Sequence, residues 1–146
     1  VFKQKVAANI DATDSTSHYD LGLAFKDMGL LDEAIAQFQV ALRGGANPLA
    51  TLEVLGECFV EKSQPTLGTR VLERALRLPG ASEASLIGVH YWLGRCAEAL
   101  DDDGAAADHY ERAVALDIRF RDAAARLATL REAPAGAAFD KGQRAG

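Results

Sequence analysis

Residues His18 to Ala41 read HYDLGLAFKDMGLLDEAIAQFQVA, a spacing of H-x2-L-G-x2-F followed by A-x3-F-x2-A. The spacing has the form of a helical hairpin, with Gly29 between its two halves, and nothing in it is an obvious nucleophile. What decides the fold is that the stretch recurs. Leu21-Gly22 is answered 34 residues on by Leu55-Gly56, and 38 residues further by Leu93-Gly94. The second half follows in step, as Ala34-x3-Phe38-x2-Ala41, Gly68-x3-Leu72-x2-Ala75 and Ala106-x3-Tyr110-x2-Ala113. Both halves keep their separation in all three copies, so the chain holds three hairpins, with extra residues around Pro79 to Ala84 before the third.

Each letter of the pattern has a packing reason. Gly and Ala stand where two helices cross closely, and Leu and aromatic residues fill the space between neighbouring hairpins. One hairpin cannot bury its own apolar face, so stacking stabilises the array. In the first copy this makes His18, Leu21, Gly22, Phe25, Ala34, Phe38 and Ala41 the expected packing residues.

A 34-residue period with W-x2-L-G-x2-Y followed by A-x3-F is the tetratricopeptide pattern, and residues 15 to 120 resemble that family. The first copy departs only at His18, in the Trp slot, and Phe25, in the Tyr slot. The second has Leu52 and Phe59 there, and the third His90 and Ala97. The implied fold is an all-α solenoid of three TPR hairpins, about 15–48, 49–82 and 87–120, closed by a capping helix at 120–132. The text of the first copy also looks like repeats of bacterial scaffold and adaptor proteins, including those of pilus and motility machinery.

Local punctuation places the helix ends. Asp14 and Ser15 are candidate caps for the first helix, Asp32 for the second and Asp103 for the sixth. Asn47-Pro48 and Gln64-Pro65 open the third and fourth, and Ser82-Glu83 the fifth. In residues 1–13, Phe2, Val6 and Ile10 are spaced by four, which predicts a short N-terminal helix docking on the first hairpin. Residues 133–146, rich in Gly and Ala, read as a flexible tail.

The bulk numbers exclude several function classes. A net charge of −5 lacks the Lys/Arg excess of a nucleic-acid binder. The apolar runs are broken well before the roughly 18 residues of a membrane span, so no membrane insertion is expected. The expected location is the cytoplasm, although the chain begins at Val1 and reads as a fragment from which a signal or anchor could have been removed. Cys58 and Cys96 are too few and too separated for a disulfide framework or a zinc motif. His18 and His90 lie in non-adjacent hairpins and His109 on another class of helix, so packing and surface roles are expected for all three. Asp101 to Gly104 reads as a solvated turn rather than a calcium loop, and no phosphate-binding glycine motif is present. No cofactor, metal or catalysis is expected.

What remains is a surface. In the resembled family the first helix of each hairpin lines a concave groove, which implies partner contacts at Thr16, Tyr19, Leu23 and Lys26, then Ala50, Glu53, Glu57 and Val60, then Gly88, Tyr91, Arg95 and Glu98. Tyr19 and Tyr91 would flank an acidic centre at Glu53 and Glu57, the composition of a protein-binding hot spot. Members that clamp the carboxylates of chaperone tails use Lys and Asn residues at the positions of Tyr19, Leu23, Val54 and Tyr91. Only Arg95 keeps that pattern, so an acidic tail is a poor fit. The expected function is a non-catalytic module binding a protein or peptide segment. The competing readings are a self-assembling array, with a homo-oligomer as its product, and a regulatory module of a larger enzyme.

Overall fold

The computed structural model describes residues 2–132, with side chains from Asp14 onward. Six helices, α1 (Phe2–Asp27), α2 (Leu31–Gly44), α3 (Pro48–Glu61), α4 (Pro65–Leu76), α5 (Ile87–Ala99) and α6 (Asp103–Leu116), form three consecutive hairpins. A seventh, α7 (123–132), follows, and no strand occurs among the described residues. A 3₁₀ turn, Ala84–Leu86, precedes α5 and takes up the extra residues of the second spacing. The expected all-α array is therefore what forms. The Phe2/Val6/Ile10 side chains and the 133–146 tail lie outside the described residues.

The small residues do what the spacing predicts. A Cβ on Gly22 would stand 2.6 Å from the Phe38 ring. On Gly56 it would collide with Leu72, and on Gly94 with Tyr110, the equivalent partners in the other two hairpins. Phe38, Leu72 and Tyr110 are fully buried as a result. The core runs along the array in two clusters, one centred on Phe38, Leu55 and Phe59 and the other on Leu72, Trp92, Leu93 and Tyr110. Cys58 and Cys96 fill buried small slots as free thiols, and burial pushes the Cys58 thiol up to about 12.

The turn within each hairpin also repeats. Gly29, Ser63 and Asp101 occupy equivalent positions, and all three are left-handed, with φ of 78°, 59° and 59°. Only the first copy places glycine there, the residue that adopts this conformation without steric cost.

Four cap assignments and one packing assignment need correction. Helix α1 continues through Asp14 and Ser15 without a break. No Gly or Pro stands between Phe2 and Leu21, and Ser15 is buried inside the helix, donating to the Ala41 carbonyl (2.7 Å) and accepting from the Ala46 amide (3.1 Å). Asp32 lies inside the first turn of α2 and pairs with Lys62. Asp102 rather than Asp103 caps α6, accepting from the Ala105 amide at 3.2 Å. Ser82 caps the 3₁₀ turn through the Ser85 amide, so α5 itself begins only at Ile87. Leu21, finally, is 44% exposed, against 1% for Leu55 and 3% for Leu93. No hairpin packs before α1 among the described residues, so the face that α3 and α5 bury against a preceding hairpin stays open there.

Candidate functional site

Of the expected partner-contacting residues, Lys26 of α1 and Glu53 and Glu57 of α3 are linked across the first helices. Lys26 Nζ on α1 reaches Glu57 Oε2 on α3 at 2.5 Å. Glu57 Oε1 stands 4.0 Å from Arg121 NH2, which comes from the turn before α7. The Glu53 carboxylate lies against Gly88 of α5, which has no side chain to exclude it. An ionic row thus crosses the face from α1 to the α6–α7 turn.

Electrostatics distinguishes the two central acids. Glu57 is neutralised from both sides by Lys26 and Arg121. Burial pulls the Lys26 ammonium down, but the Glu57 hydrogen bond and the Glu57 and Glu61 charges outweigh it, so its pKa is raised. Glu53 has no ion-pair partner within 4 Å among the described residues. Burial raises its pKa and the nearby Glu57 adds to the rise, while Arg121 opposes it. The acidic centre is therefore one neutralised carboxylate and one half-buried carboxylate with no close cation.

Tyr19 and Leu23 are half-buried beside the first core cluster, the Tyr19 ring 5.7 Å from Phe38 at a tilt of 57°. Burial, then the Glu53 charge, raises the Tyr19 phenol pKa. Thr16 and Ala50 are exposed. Val60, Arg95 and Glu98 share a cavity of about 570 Å³ with Arg126, at the end of the face opposite Ala50.

Tyr91 is a correction. It is 2% exposed, a core residue rather than a surface anchor. Its ring packs against Trp92, Tyr110 and Phe120, and its hydroxyl donates to Asp122 Oδ1 at 2.5 Å. The turn before α7 covers it, with the Arg121 guanidinium 5.6 Å from the Tyr91 ring centre and 5.0 Å from that of Trp92. Arg95 stacks on Trp92 at 5.4 Å and donates to the Tyr91 hydroxyl at 3.2 Å, which fixes the position of its guanidinium by two contacts. Glu98 accepts from the buried Tyr110 hydroxyl and pairs with Arg126 at 3.2 Å. Arg121, Asp122 and Arg126 were not among the expected site residues. They lie past the third repeat, and only the docking of α7 brings them to this face.

The histidines also pair in a way their spacing did not announce. His90 and His109 meet with Nδ1 atoms 3.0 Å apart. The 5.3 Å between ring centres is about that distance plus one ring radius on each side, so the rings meet edge to edge through one N–H···N hydrogen bond. Burial and the neighbouring charges of His109 and Arg112 push His90 down to about 4. Burial and Arg112 also lower His109, against Asp108 and Glu73. The equivalent residues of the first hairpin are His18 and Gln37, 2.5 Å apart, with Asp14 on the other ring nitrogen at 3.0 Å. No group of three or more metal-ligating side chains occurs among the described residues.

The tetratricopeptide repeat family profile matches residues 15–43, the copy whose letters are best kept. Among solved structures the chain is similar to the Arabidopsis OM64 TPR domain, at 15% identity and TM-score 0.76, over 84% of this chain and 98% of that one. It is similar to the first TPR of Spaghetti (RPAP3) bound to the HSP90 peptide SRMEEVD, at 16% identity and TM-score 0.76, over 85% and 98%. It is also similar to MamA, at 26% identity and TM-score 0.68, over 82% of this chain and 63% of that one. No curated protein sequence matches the chain.

Proposed function

We propose that the chain, which matches the tetratricopeptide repeat over residues 15–43 and shares the fold of TPR domains, is a non-catalytic interaction module that takes an extended or helical partner segment along the face of α1, α3 and α5. The observation that carries this is the mixed row Lys26–Glu57–Arg121, with Glu53 beside it and Tyr19, Leu23 and Val60 interleaved. Fixed charges among half-buried apolar side chains give a partner both register and contact area. A structure of the same fold holding a peptide, the RPAP3 complex, supports the reading. Arg95, held by Trp92 and Tyr91, offers a preorganised cation at the Val60 end. A scaffold or adaptor role, in bacterial pilus or motility machinery, belongs to the same proposal and is tested by the identity of the partner.

The test is site-specific photo-cross-linking in cells. A photoreactive residue at Tyr19, Leu23 or Val60 is expected to trap one partner, while the same residue at Leu67 or Leu116, exposed on second helices, traps none. Trapping only from the second helices would overturn the assignment. One observation favours a second reading, self-association. Leu21 (44% exposed) on α1 and Met28 (67%) in the turn after it leave an apolar edge. A mass constant at the monomer value across a hundredfold concentration range, measured by light scattering, removes that reading.

A further inference from the structure

The extra residues between the second and third hairpins build something that a regular 34-residue spacing would not. The loop Leu78–Ser85 stands opposite the first turn of α3, and between them lies a cavity of about 780 Å³. Pro48, Leu49, Leu78 and Pro79 make its walls largely apolar, and its one ionisable wall residue is Glu53. That is the half-buried carboxylate with no cation in ion-pair range, and Gly88 leaves it room on the α5 side.

An apolar cavity with a single half-buried anion selects its occupant by two tests. A purely apolar side chain would leave the carboxylate desolvated and unpaired, which is costly, and an acidic one would add repulsion. A side chain with a long aliphatic stem and a cationic tip satisfies both walls and carboxylate. Protein net charge of −5 steers the same kind of partner.

We infer that this cavity is a specificity pocket for a Lys or Arg flanked by apolar residues in the partner segment, with Glu53 as the acceptor of its charge. This rests on the groove reading and adds the chemistry of one subsite to it. The raised pKa of Glu53 is consistent with a carboxylate awaiting a cation, and it falls when one arrives.

The test uses three capped tripeptides, acetyl-Leu-Xaa-Leu-amide with Lys, norleucine or Glu in the centre, titrated into the ¹⁵N-labelled protein at millimolar concentration. The Lys peptide is expected to shift the Ala50, Glu53, Ser82 and Ser85 amides and to bind at least tenfold more tightly than the Glu peptide. Glu53→Gln should abolish that preference, and Ala50→Trp, at an exposed wall position, should block all three peptides while leaving the remaining amide spectrum in place. Equal binding of the Lys and Glu peptides, or no shift at these amides, overturns the inference. So does a change in the same amides on deleting residues 134–146, which would make the chain's own Lys141 and Arg144 the occupant, or on dilution, which would make it a second copy. Cross-links from Tyr19 or Val60 that persist when the tripeptides fail would leave the groove standing without this subsite. Tripeptide binding without those cross-links would do the reverse.

Discussion

The first and third hairpins use nearly the same letters and put them in different surroundings. Leu21-Gly22 and Leu93-Gly94 are equivalent, as are His18 and His90, yet Leu21 is 44% exposed and Leu93 3%. The third hairpin has α3 and α4 on one side and α7 on the other, whereas α1 has a neighbour on one side only. Position in the stack, not residue type, therefore decides how much each repeat letter contributes. The same difference inverts the histidines. His18 faces Gln37 and Asp14, and the Gln37 hydrogen bond, opposed by burial and helped by Asp14, raises its pKa. His90, buried against a second imidazole, is lowered to about 4.

The largest break in this comparison comes from the leucines. Leu93→Ala removes a buried side chain from between two packed hairpins and should cost about 2–5 kcal/mol. Leu21→Ala should fall within about 0.5 kcal/mol, as exposed positions do. Urea denaturation of the two variants measures the gap, and equal losses would show that α1 is covered in solution. Gly94→Leu forces a side chain into the Tyr110 ring. The expected cost is about 1–3 kcal/mol or more, and Gly56→Leu should behave alike against Leu72.

Acidification sharpens the contrast, because the two hairpins respond with opposite sign. For His90 and His109 the folded pKa lies below the unfolded value near 6.5. Their contribution is complete above that value and is lost as the pH falls toward about 4. For His18 the folded pKa is raised, so its contribution is complete below about 6.5 and is lost as the pH rises through the folded value. Between pH 7 and pH 4.5 the third hairpin should therefore lose on the order of 1 kcal/mol, allowing for solvent screening, while the first gains slightly. His109→Gln, which copies the His18–Gln37 pairing, should flatten most of this dependence in denaturation curves recorded across the range. An unchanged pH profile would remove the imidazole pair as its source.

The smallest effect concerns the turns. Replacing Ser63 or Asp101 with the glycine that the first hairpin already has at position 29 relieves a left-handed backbone. Each change should stabilise the array by about 0.5–1 kcal/mol, net of the added chain entropy. Thermal melts of the single and double variants would show the increments adding, since the two turns lie in different hairpins. A fall in melting temperature for both variants would mean that the side chains, rather than the backbone, hold these turns.

Much of this architecture was legible because the repeat is local. The Gly22–Phe38, Gly56–Leu72 and Gly94–Tyr110 contacts each join two helices of one hairpin, so spacing alone locates them. Tyr91 is buried instead of exposed because its cover comes from Phe120, Arg121 and Asp122, about thirty residues away at and beyond the end of the third repeat. Ser15 was misread for a related reason. A serine near an expected helix start suggests a cap, but its hydroxyl is committed to Ala41 and Ala46 across the hairpin. Of the site, the α1 and α3 residues stand where the repeat register put them, whereas the cations that define the α5 end, Arg121 and Arg126, arrive with α7. The His90–His109 pair had one sequence signal, the same 19-residue offset that joins His18 to Gln37.

The open face of α1 makes the array a directional object. At the far end α7 turns Ala123, Leu127 and Leu130 inward and shows solvent Ala125, Ala128, Thr129 and Arg131, a face with no large apolar side chain among the described residues. At the near end Leu21, Ala24 and Met28 present the seat that Leu55 and Cys58, and then Leu93 and Cys96, already offer to the hairpin before them. A further hairpin grafted ahead of α1 would find its docking letters written, and the array could be lengthened from that side without altering Lys26, Glu57 or Arg121.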